Sequence, residues 1–143
     1  MLLVTHSLVS ATLAQKIQKP LWYIPLALAV HLLMDAIPHW DLGISFKKRT
    51  KKQNLILAFL DGMSGLVIVF FLFQYQKAFS PHPWLGITAG LAFDFLEAPA
   101  LFLNLPLVPQ IDYLHSKVFH QKSKNLFQGV LPQVIIIGIC LLI

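Results

Sequence analysis

Residues 30–41 read VHLLMDAIPHWD and close an apolar segment that begins at Pro20. Because residues four apart lie on one face of a helix, His31, Asp35 and His39 are predicted to form a single polar stripe. Pro38 removes one backbone donor and is expected to loosen the last turn of this helix. Such a stripe could be an ordinary wet edge in a soluble protein, so its meaning depends on the rest of the chain.

The composition indicates a membrane protein. Of the 143 residues, 57% are hydrophobic and only 12% are charged, and the mean hydropathy is +0.70. Soluble domains are nearer 45–50% apolar and about 25% charged. We therefore expect one membrane-embedded domain over residues 1–143. The net charge of +5 is not taken as a nucleic-acid signal, because the placement of the basic residues fits membrane orientation better.

The apolar segments and their breaks predict an all-α fold. Pro20 suits the first turn of a helix, and the Ser-Pro-His-Pro sequence at 80–83 predicts a turn. Residues 1–16 are fewer than the 20 or so that a span needs, so crossing and re-entry both stay open for them. The expected architecture is a polytopic membrane helix bundle of four to five membrane helices plus a cytoplasmic interfacial helix. The membrane segments are 1–16, 20–38, 54–79, 84–98 and 126–143, and the interfacial segment is 110–124.

The basic residues predict the orientation of the bundle. Alternating sides of the membrane carry eight and three lysines and arginines, and the richer side includes the loop after the second helix. Loops rich in these residues stay in the cytoplasm. We expect the same loop to contact anionic lipid headgroups. Its five basic residues are Lys47, Lys48, Arg49, Lys51 and Lys52.

Ionisable residues from several segments are predicted to meet at one depth near the cytoplasmic side. Each such group inside a membrane helix costs about 2.5–3.5 kcal/mol, so it is expected to face the bundle interior and to have a role. His82 falls in the turn on the opposite side and is excluded. The candidate metal ligands are His6, His31, Asp35, His39, Asp94 and His120, and the candidate general bases are Asp61 and Glu97.

Each candidate also has a structural alternative. His31 and Asp35 could be a hydrogen-bonded pair that ties two helices together. Asp61 lies in a patch of small residues that permits close helix packing, so its carboxylate could simply bond a neighbour. His39 could mark the membrane edge beside Trp40. The weaker candidates, left outside the ligand set, are Asp41 and His115.

The types of side chain in this layer favour a divalent metal. Burial pushes a carboxylate toward its neutral form, and a bound cation removes that penalty. Imidazole and carboxylate without thiolate suit zinc first, with iron or manganese as alternatives. The candidates outnumber the three or four ligands of one zinc. The surplus could orient the ligands, transfer protons or bind a second metal.

The same residues resemble a family. Thr5-His6-Ser7, followed by His31-x3-Asp35-x2-Pro38-His39, is similar to small bacterial and archaeal membrane proteins described as metal-dependent hydrolases. That family resembles, at a distance, zinc-dependent phospholipase C. The resemblance implies a prokaryotic inner-membrane location and metal ligation by His6, His31, Asp35 and Asp94. Beyond the first forty residues, the resemblance depends on hydropathy, Asp94 and His120. Phe93-Asp94-Phe95 is the nearest match to the Pro-Asp-x-Asp motif of the family.

The leading hypothesis is a membrane-bound metal-dependent hydrolase. It would act on a phosphoester or lipid-like substrate at the cytoplasmic leaflet. The alternatives are an ion, proton or metal transporter and a non-catalytic membrane scaffold whose polar layer only fixes helix packing. A transporter needs polar groups through the whole membrane depth or access from both sides. Residues 67–73 and 84–92 are almost purely apolar, which argues against a pore within one chain.

Overall fold

In a computed structural model, residues 1–103, 105–106 and 109–143 are described, and within them the fold is helical apart from one isolated bridge between His39 and Lys122. The predicted all-α class is confirmed. The α-helices are α1 Leu3–Ile17, α2 Pro20–Asp35, α3 Lys51–Phe73, α4 His82–Gly90, α5 Ala92–Leu103, α6 Pro109–Asp112 and α7 Leu126–Leu142, with a 3-10 helix at Leu42–Lys48 and a π-helix at Tyr113–Phe119.

Helix α1 is the central element of the bundle. It packs against α2, α3, α4 and α7, and these contacts are compatible with both the crossing and the re-entry predicted for residues 1–16. Most of the buried side chains on α1 are small and polar or small and apolar, which lets neighbouring backbones come close. The buried residues are Thr5, His6, Ser7, Leu8, Ser10, Ala11, Thr12 and Ala14.

Glycines on the neighbouring helices meet α1 at close range. A Cβ atom added to Gly86 of α4 would lie 2.4 Å from the carbonyl oxygen of Ser10. One added to Gly65 of α3 would lie 2.8 Å from Ser7 Oγ. Real Cβ contacts are not this short, so the absence of a side chain at these positions sets the spacing between α1 and its neighbours.

The N-terminus of α1 is capped by residues distant in sequence. Leu2 makes no side-chain cap of its own. Instead, the Asp61 carboxylate accepts hydrogen bonds from the backbone N–H groups of Leu3 and Val4, at 2.8 and 3.1 Å, and Gln133 Oε1 accepts one from Leu2 at 3.0 Å. A carboxylate at a helix N-terminus satisfies orphan donors and complements the helix dipole. Asp61 and Gln133 therefore fix the position of the first turn of α1.

The described helices support the predicted membrane spans only in part. Among the described helices, α3 alone is long and apolar enough to cross a membrane, and α4 with α5 passes the same test only as a pair bent by 51°. Helices α2 and α7 are apolar but have 16 and 17 residues. By length and composition, the fold thus has one or two candidate spans, which is weak evidence of membrane association.

Helix boundaries depart from the predicted ones where capping and breaks intervene. Helix α3 begins at Lys51 rather than 54, because Thr50 and Gln53 form a reciprocal capping box. It ends at Phe73 rather than 79. The segment predicted over 84–98 breaks at Leu91 and continues to Leu103. The interfacial helix predicted over 110–124 is α6 followed by the π-helix, which ends at Phe119.

Large apolar side chains cover much of the outer surface. Leu21 of α2 is 81% exposed and Phe59 of α3 is 63% exposed, and Phe127 of α7 is similarly open to its surroundings. A soluble monomer rarely exposes a contiguous apolar surface of this kind. The exposed faces are consistent with contact with a membrane.

Close packing of α1 against α4 gives a direct test of the fold. Gly86→Ala is expected to lower the free energy of unfolding by about 1–3 kcal/mol, because its methyl group would meet backbone rather than a flexible side chain. Gly62→Ala is the matched control, since the nearest atom to its added Cβ is Leu3 Cδ1 at 3.6 Å. Unfolding monitored by circular dichroism in detergent measures both. Equal stability of the two variants would contradict the packing described.

Candidate metal centre

Asp35, the last residue of α2, lies at the centre of a cluster of histidines. Its side chain is fully buried. His6 Nε2 lies 3.1 Å from Oδ1, while His115 Nε2 and His31 Nε2 lie 3.0 and 3.4 Å from Oδ2. The α-amino group of Met1 also contacts Oδ1. Helices α1 and α2 and the π-helix therefore direct three imidazoles onto one carboxylate.

Two further histidines approach Asp35 from outside the helices. His39 Nε2 lies 3.7 Å from Oδ1, and His120 Nδ1 lies 3.6 Å from Oδ2. His39 is fully buried. In all, five histidine rings from four separate stretches of chain surround a single carboxylate, and no pair of neighbouring helices alone could assemble them.

Backbone pairing delivers His39 to the cluster. Helix α2 ends at Asp35, so the predicted stripe of three residues on one helix is wrong for His39. The chain instead runs on beside residues 121–123. The His39 N–H donates to Gln121 O at 3.1 Å, and Ser123 N–H donates to His39 O at 2.8 Å. This pairing brings His39 Nε2 to 3.1 Å from His120 Nε2.

Helix α7 supports the paired segment. The Trp40 N–H donates to Gly129 O at 2.9 Å, and Gln133 Nε2 donates to Trp40 O at 2.7 Å. Gln133 also accepts from Thr5 Oγ1 at 3.2 Å. One buried amide therefore links α1, α7 and the segment that carries His39. Nothing in the sequence pattern distinguishes Gln133 from an ordinary helix residue.

The π-helix explains the positions of His115 and His120. The backbone N–H of His120 donates to the carbonyl oxygen of His115 at 3.0 Å, five residues back. An α-helical period does not align residues five apart, whereas an i to i+5 bond does, and π-helical turns often occur at functional sites. His115 was not among the predicted metal ligands. Its spacing of five residues from the predicted ligand His120 was the sequence signal that could have identified it.

Three carboxylates besides that of Asp35 lie close to the imidazoles. Glu97 Oε1 lies 2.8 Å from His115 Nδ1, although the angle departs from hydrogen-bond geometry. Asp41 Oδ2 lies 2.6 Å from His120 Nε2, and its Oδ1 accepts from the backbone N–H of Ile44. Acids in these positions fix the orientation and tautomer of metal-ligating histidines. The third carboxylate is that of Asp94, 3.9 Å from His31 Nδ1.

Three residues of the cluster that lie outside α1 to α7 have perturbed pKa values. Burial opposes the charged form of Asp41, but hydrogen bonds from His120 and His39 hold its pKa well below the usual range. Burial lowers the pKa of His120. Against the effect of burial, contacts with Asp35 and Glu97 raise the pKa of His115 to about 9. These contacts thus favour the protonated form of His115, beside the carboxylates of Asp35 and Glu97.

The cluster could hold a metal ion. Three sets of residues each offer ligand atoms within 4.8 Å of one another: His6, His31 and Asp94; His31, Asp35 and His115; Asp35, His39 and His120. Among the described residues of the cluster, four buried atoms have no hydrogen-bond partner, namely His6 Nδ1, His31 Nδ1, Asp94 Oδ2 and His115 Nδ1. Buried polar atoms are normally satisfied, and orphans in a native site suggest an additional ligand or ion.

The distances within the set of His31, Asp35 and His115 match shared coordination better than hydrogen bonding. The Nε2 atoms of His31 and His115 are 3.0 Å apart, and both lie within 3.4 Å of Asp35 Oδ2. One proton can join only one pair of atoms in such a triangle. A zinc ion bound at about 2.0–2.1 Å to nitrogen and oxygen would satisfy all three at once.

The structure brings together all six predicted metal ligands, together with the predicted base Glu97. The other predicted base, Asp61, lines the same cavity as Glu97, but both of its oxygens accept backbone N–H donors of α1. Asp41 is only 6% exposed and His39 is fully buried, so neither marks an exposed membrane edge. The excluded residue His82 lies beside Tyr23, with its Nδ1 3.3 Å from the hydroxyl.

No protein-family model matches the chain, and no curated protein or solved structure shows significant similarity to it.

The contact between α7 and the paired segment can be tested with two glycines on one helix. A Cβ on Gly129 would lie 2.4 Å from Trp40 N, whereas one on Gly138 would meet nothing within 4 Å. We expect Gly129→Ala to displace the segment carrying His39 and to weaken zinc binding at least about tenfold, in line with the loss of a supporting contact. Gly138→Ala should bind zinc like the wild type. Calorimetric titration with zinc measures both, and equal affinities would contradict the assigned role of Gly129.

Proposed function

We propose that this chain is a membrane-bound metal-dependent hydrolase that acts on a phosphoester or lipid-like substrate at the cytoplasmic leaflet. The observation that carries the proposal is the convergence of five histidines on the buried carboxylate of Asp35. A layer of this kind exceeds what helix packing needs. The resemblance of the Thr5-His6-Ser7 and His31–His39 motifs to metal-dependent hydrolases supports the same reading.

Zinc is the metal we propose, because the donors are imidazole and carboxylate without thiolate. His31, His115 and Asp35 would hold one ion, and His39, His120 and Asp35 a second. A neutral imidazole donates one lone pair, so His31 cannot serve the set containing His6 and Asp94 at the same time. A bound ion of this type would supply Lewis acidity and lower the pKa of water toward neutrality.

The remaining acids have roles in the proposal that follow from their surroundings. Glu97 orients His115 and lines the cavity beside the cluster, so it could accept a proton from water. Asp94 lines the same cavity, and its Oδ2 atom has no hydrogen-bond partner, which makes it a second candidate base. Asp61 is the weakest candidate, because its oxygens already serve the N-terminus of α1.

An apolar core favours an enzyme over a transporter. Leu8 and Ala11 follow His6 on α1 and pack with Val69, Ile87 and Leu91 in a fully buried cluster. The buried polar side chains of α1 at this level are the hydroxyls of Ser7, Ser10 and Thr12, and no described ionisable side chain is buried there. A carrier with access from both sides would need such groups at that level.

The proposed setting is a prokaryotic inner membrane, with the cluster facing the cytoplasm. The basic loop supports this orientation by its charge. Within it, Arg49 bonds the carbonyl oxygens of Ser45 and Leu42, so we assign headgroup contact chiefly to the neighbouring lysines. Four to five crossings would require α2 and α7 to recruit flanking residues, because a span takes about 17–25 residues.

Metal content tests the proposal. We expect one or two zinc ions per chain in detergent-purified protein. Asp35→Ala should retain less than about a tenth of this metal, because Asp35 belongs to both three-ligand sets, whereas His31→Ala should lose the ion held by its own set. His82→Ala is the matched control, since it removes a histidine outside the cluster. Elemental analysis gives the metal content, and release of phosphate or alcohol from phosphoester lipids gives the activity.

Two outcomes would contradict the proposal. The first is wild-type protein without stoichiometric metal after purification in zinc-supplemented medium. The second is the signature of the scaffold alternative, in which Asp35→Asn lowers the melting temperature while chelators change neither stability nor any activity.

A further inference from the structure

The histidine cluster opens into a groove between α3 and α5. The ionisable side chains that line a cavity of about 360 Å³ are Asp41, Asp61, Asp94, Glu97, His115, His120 and Lys122. Apolar side chains from the two helices form most of the remaining wall. We call this feature the α3–α5 groove and define it by Leu55, Ala58 and Phe59 of α3 and Phe95, Ala98 and Phe102 of α5.

We propose that the α3–α5 groove holds the single acyl chain of a phosphate-bearing lipid whose headgroup reaches the histidine cluster. In assigning a reaction to that headgroup, the inference depends on the hydrolase proposed above. The assignment of the acyl chain to the groove depends only on the shape and the apolar lining of the groove.

The groove is open sideways rather than only toward water. Leu55, Phe59 and Phe95 are 53%, 63% and 54% exposed. In a membrane these side chains face acyl chains, so a lipid could enter without leaving the bilayer. The hydration of an acyl chain changes little when it moves from the bilayer into an apolar groove. The groove would therefore select lipids by packing and shape.

The size of the groove favours one chain over two. Small-molecule pockets span about 300–1,000 Å³, and the α3–α5 groove lies at the lower end of that range. The rings of Phe46 and Phe102, with centroids 6.1 Å apart, narrow one side of it. A diacyl lipid would leave its second chain outside, against the exposed faces of the helices.

The charges around the groove are mixed. Its polar lining has one lysine, Lys122, whose Nζ lies 3.5 Å from Asp41 Oδ2, and four carboxylates, those of Asp41, Asp61, Asp94 and Glu97. A headgroup phosphate at the histidine cluster would therefore bind through the proposed zinc ions, which would offset these carboxylates. Lys51 and Lys52 line an adjoining cavity of about 470 Å³ that shares Leu55, Phe95, Ala98 and Phe102 with the groove. These two lysines complement an anionic lipid better than a neutral one.

Photolabelling of the zinc-loaded full chain in nanodiscs tests the proposal. The probe is a single-chain glycerol phosphate lipid with a diazirine at the end of its acyl chain. We expect labelled peptides from residues 55–59 and 95–102. In Ala98→Trp the labelling should fall at least about fivefold, because the indole fills the groove. Leu96→Trp is the control, since Leu96 is exposed on α5 and does not line the groove.

A second pair of variants tests the groove from α3, so that the proposal stays testable when a variant of α5 does not fold. Ala58→Trp fills the groove from α3, and Leu60→Trp changes an exposed residue of the same helix outside it. Helix content and zinc content equal to wild type identify the folded variants. An unlabelled long-chain probe should compete with labelling, while glycerol 3-phosphate at the same concentration should not.

Three results would overturn the groove assignment: labelling spread evenly over exposed faces of α2, α3 and α7, equal labelling of the filled and control variants, or equal competition by glycerol 3-phosphate. Failures of the two proposals are distinguishable. Groove-specific labelling without bound metal would contradict the hydrolase proposal and support the groove assignment. Normal metal content with dispersed labelling would contradict the groove assignment alone.

Discussion

The burial of the Asp35 carboxylate among five imidazoles is the constraint on which the rest of the fold depends. Removing an ionised carboxylate from water costs several kcal/mol unless partners compensate it. Here the partners come from α1, α2, the segment after α2 and the residues from His115 to His120. Each of these stretches must reach the same point, so the packing of the helices is organised around Asp35.

The remainder of the structure holds those stretches in register. Glycines on α3 and α4 let α1 lie at the centre of the bundle, and Asp61 and Gln133 fix the depth of its first turn. Gly129 of α7 gives the chain carrying His39 room to pass beside it. The polar cluster, the apolar core beyond it and the α3–α5 groove then follow from one arrangement of helices.

The sequence predicts the chemistry of the cluster better than its geometry. The cost of burying charge explains why residues as distant as His6, Asp35 and His120 were expected at one depth. The role of Asp61 was not predictable, because a capping carboxylate and a general base look alike in sequence. His39 reaches the cluster by backbone pairing with residues 121–123, which leaves no side-chain pattern. The predicted four to five membrane spans are supported only in part, because helix ends and bends divide the apolar segments of the sequence.

Anomalous diffraction at the zinc edge from crystals of the zinc-loaded protein would test the central claim most directly. The account predicts one or two peaks, each about 2.0–2.2 Å from an oxygen of Asp35. The nitrogen ligands would come from His31 and His115, or from His39 and His120. The absence of any peak within ligand distance of Asp35, in crystals that bind zinc elsewhere or not at all, would contradict it.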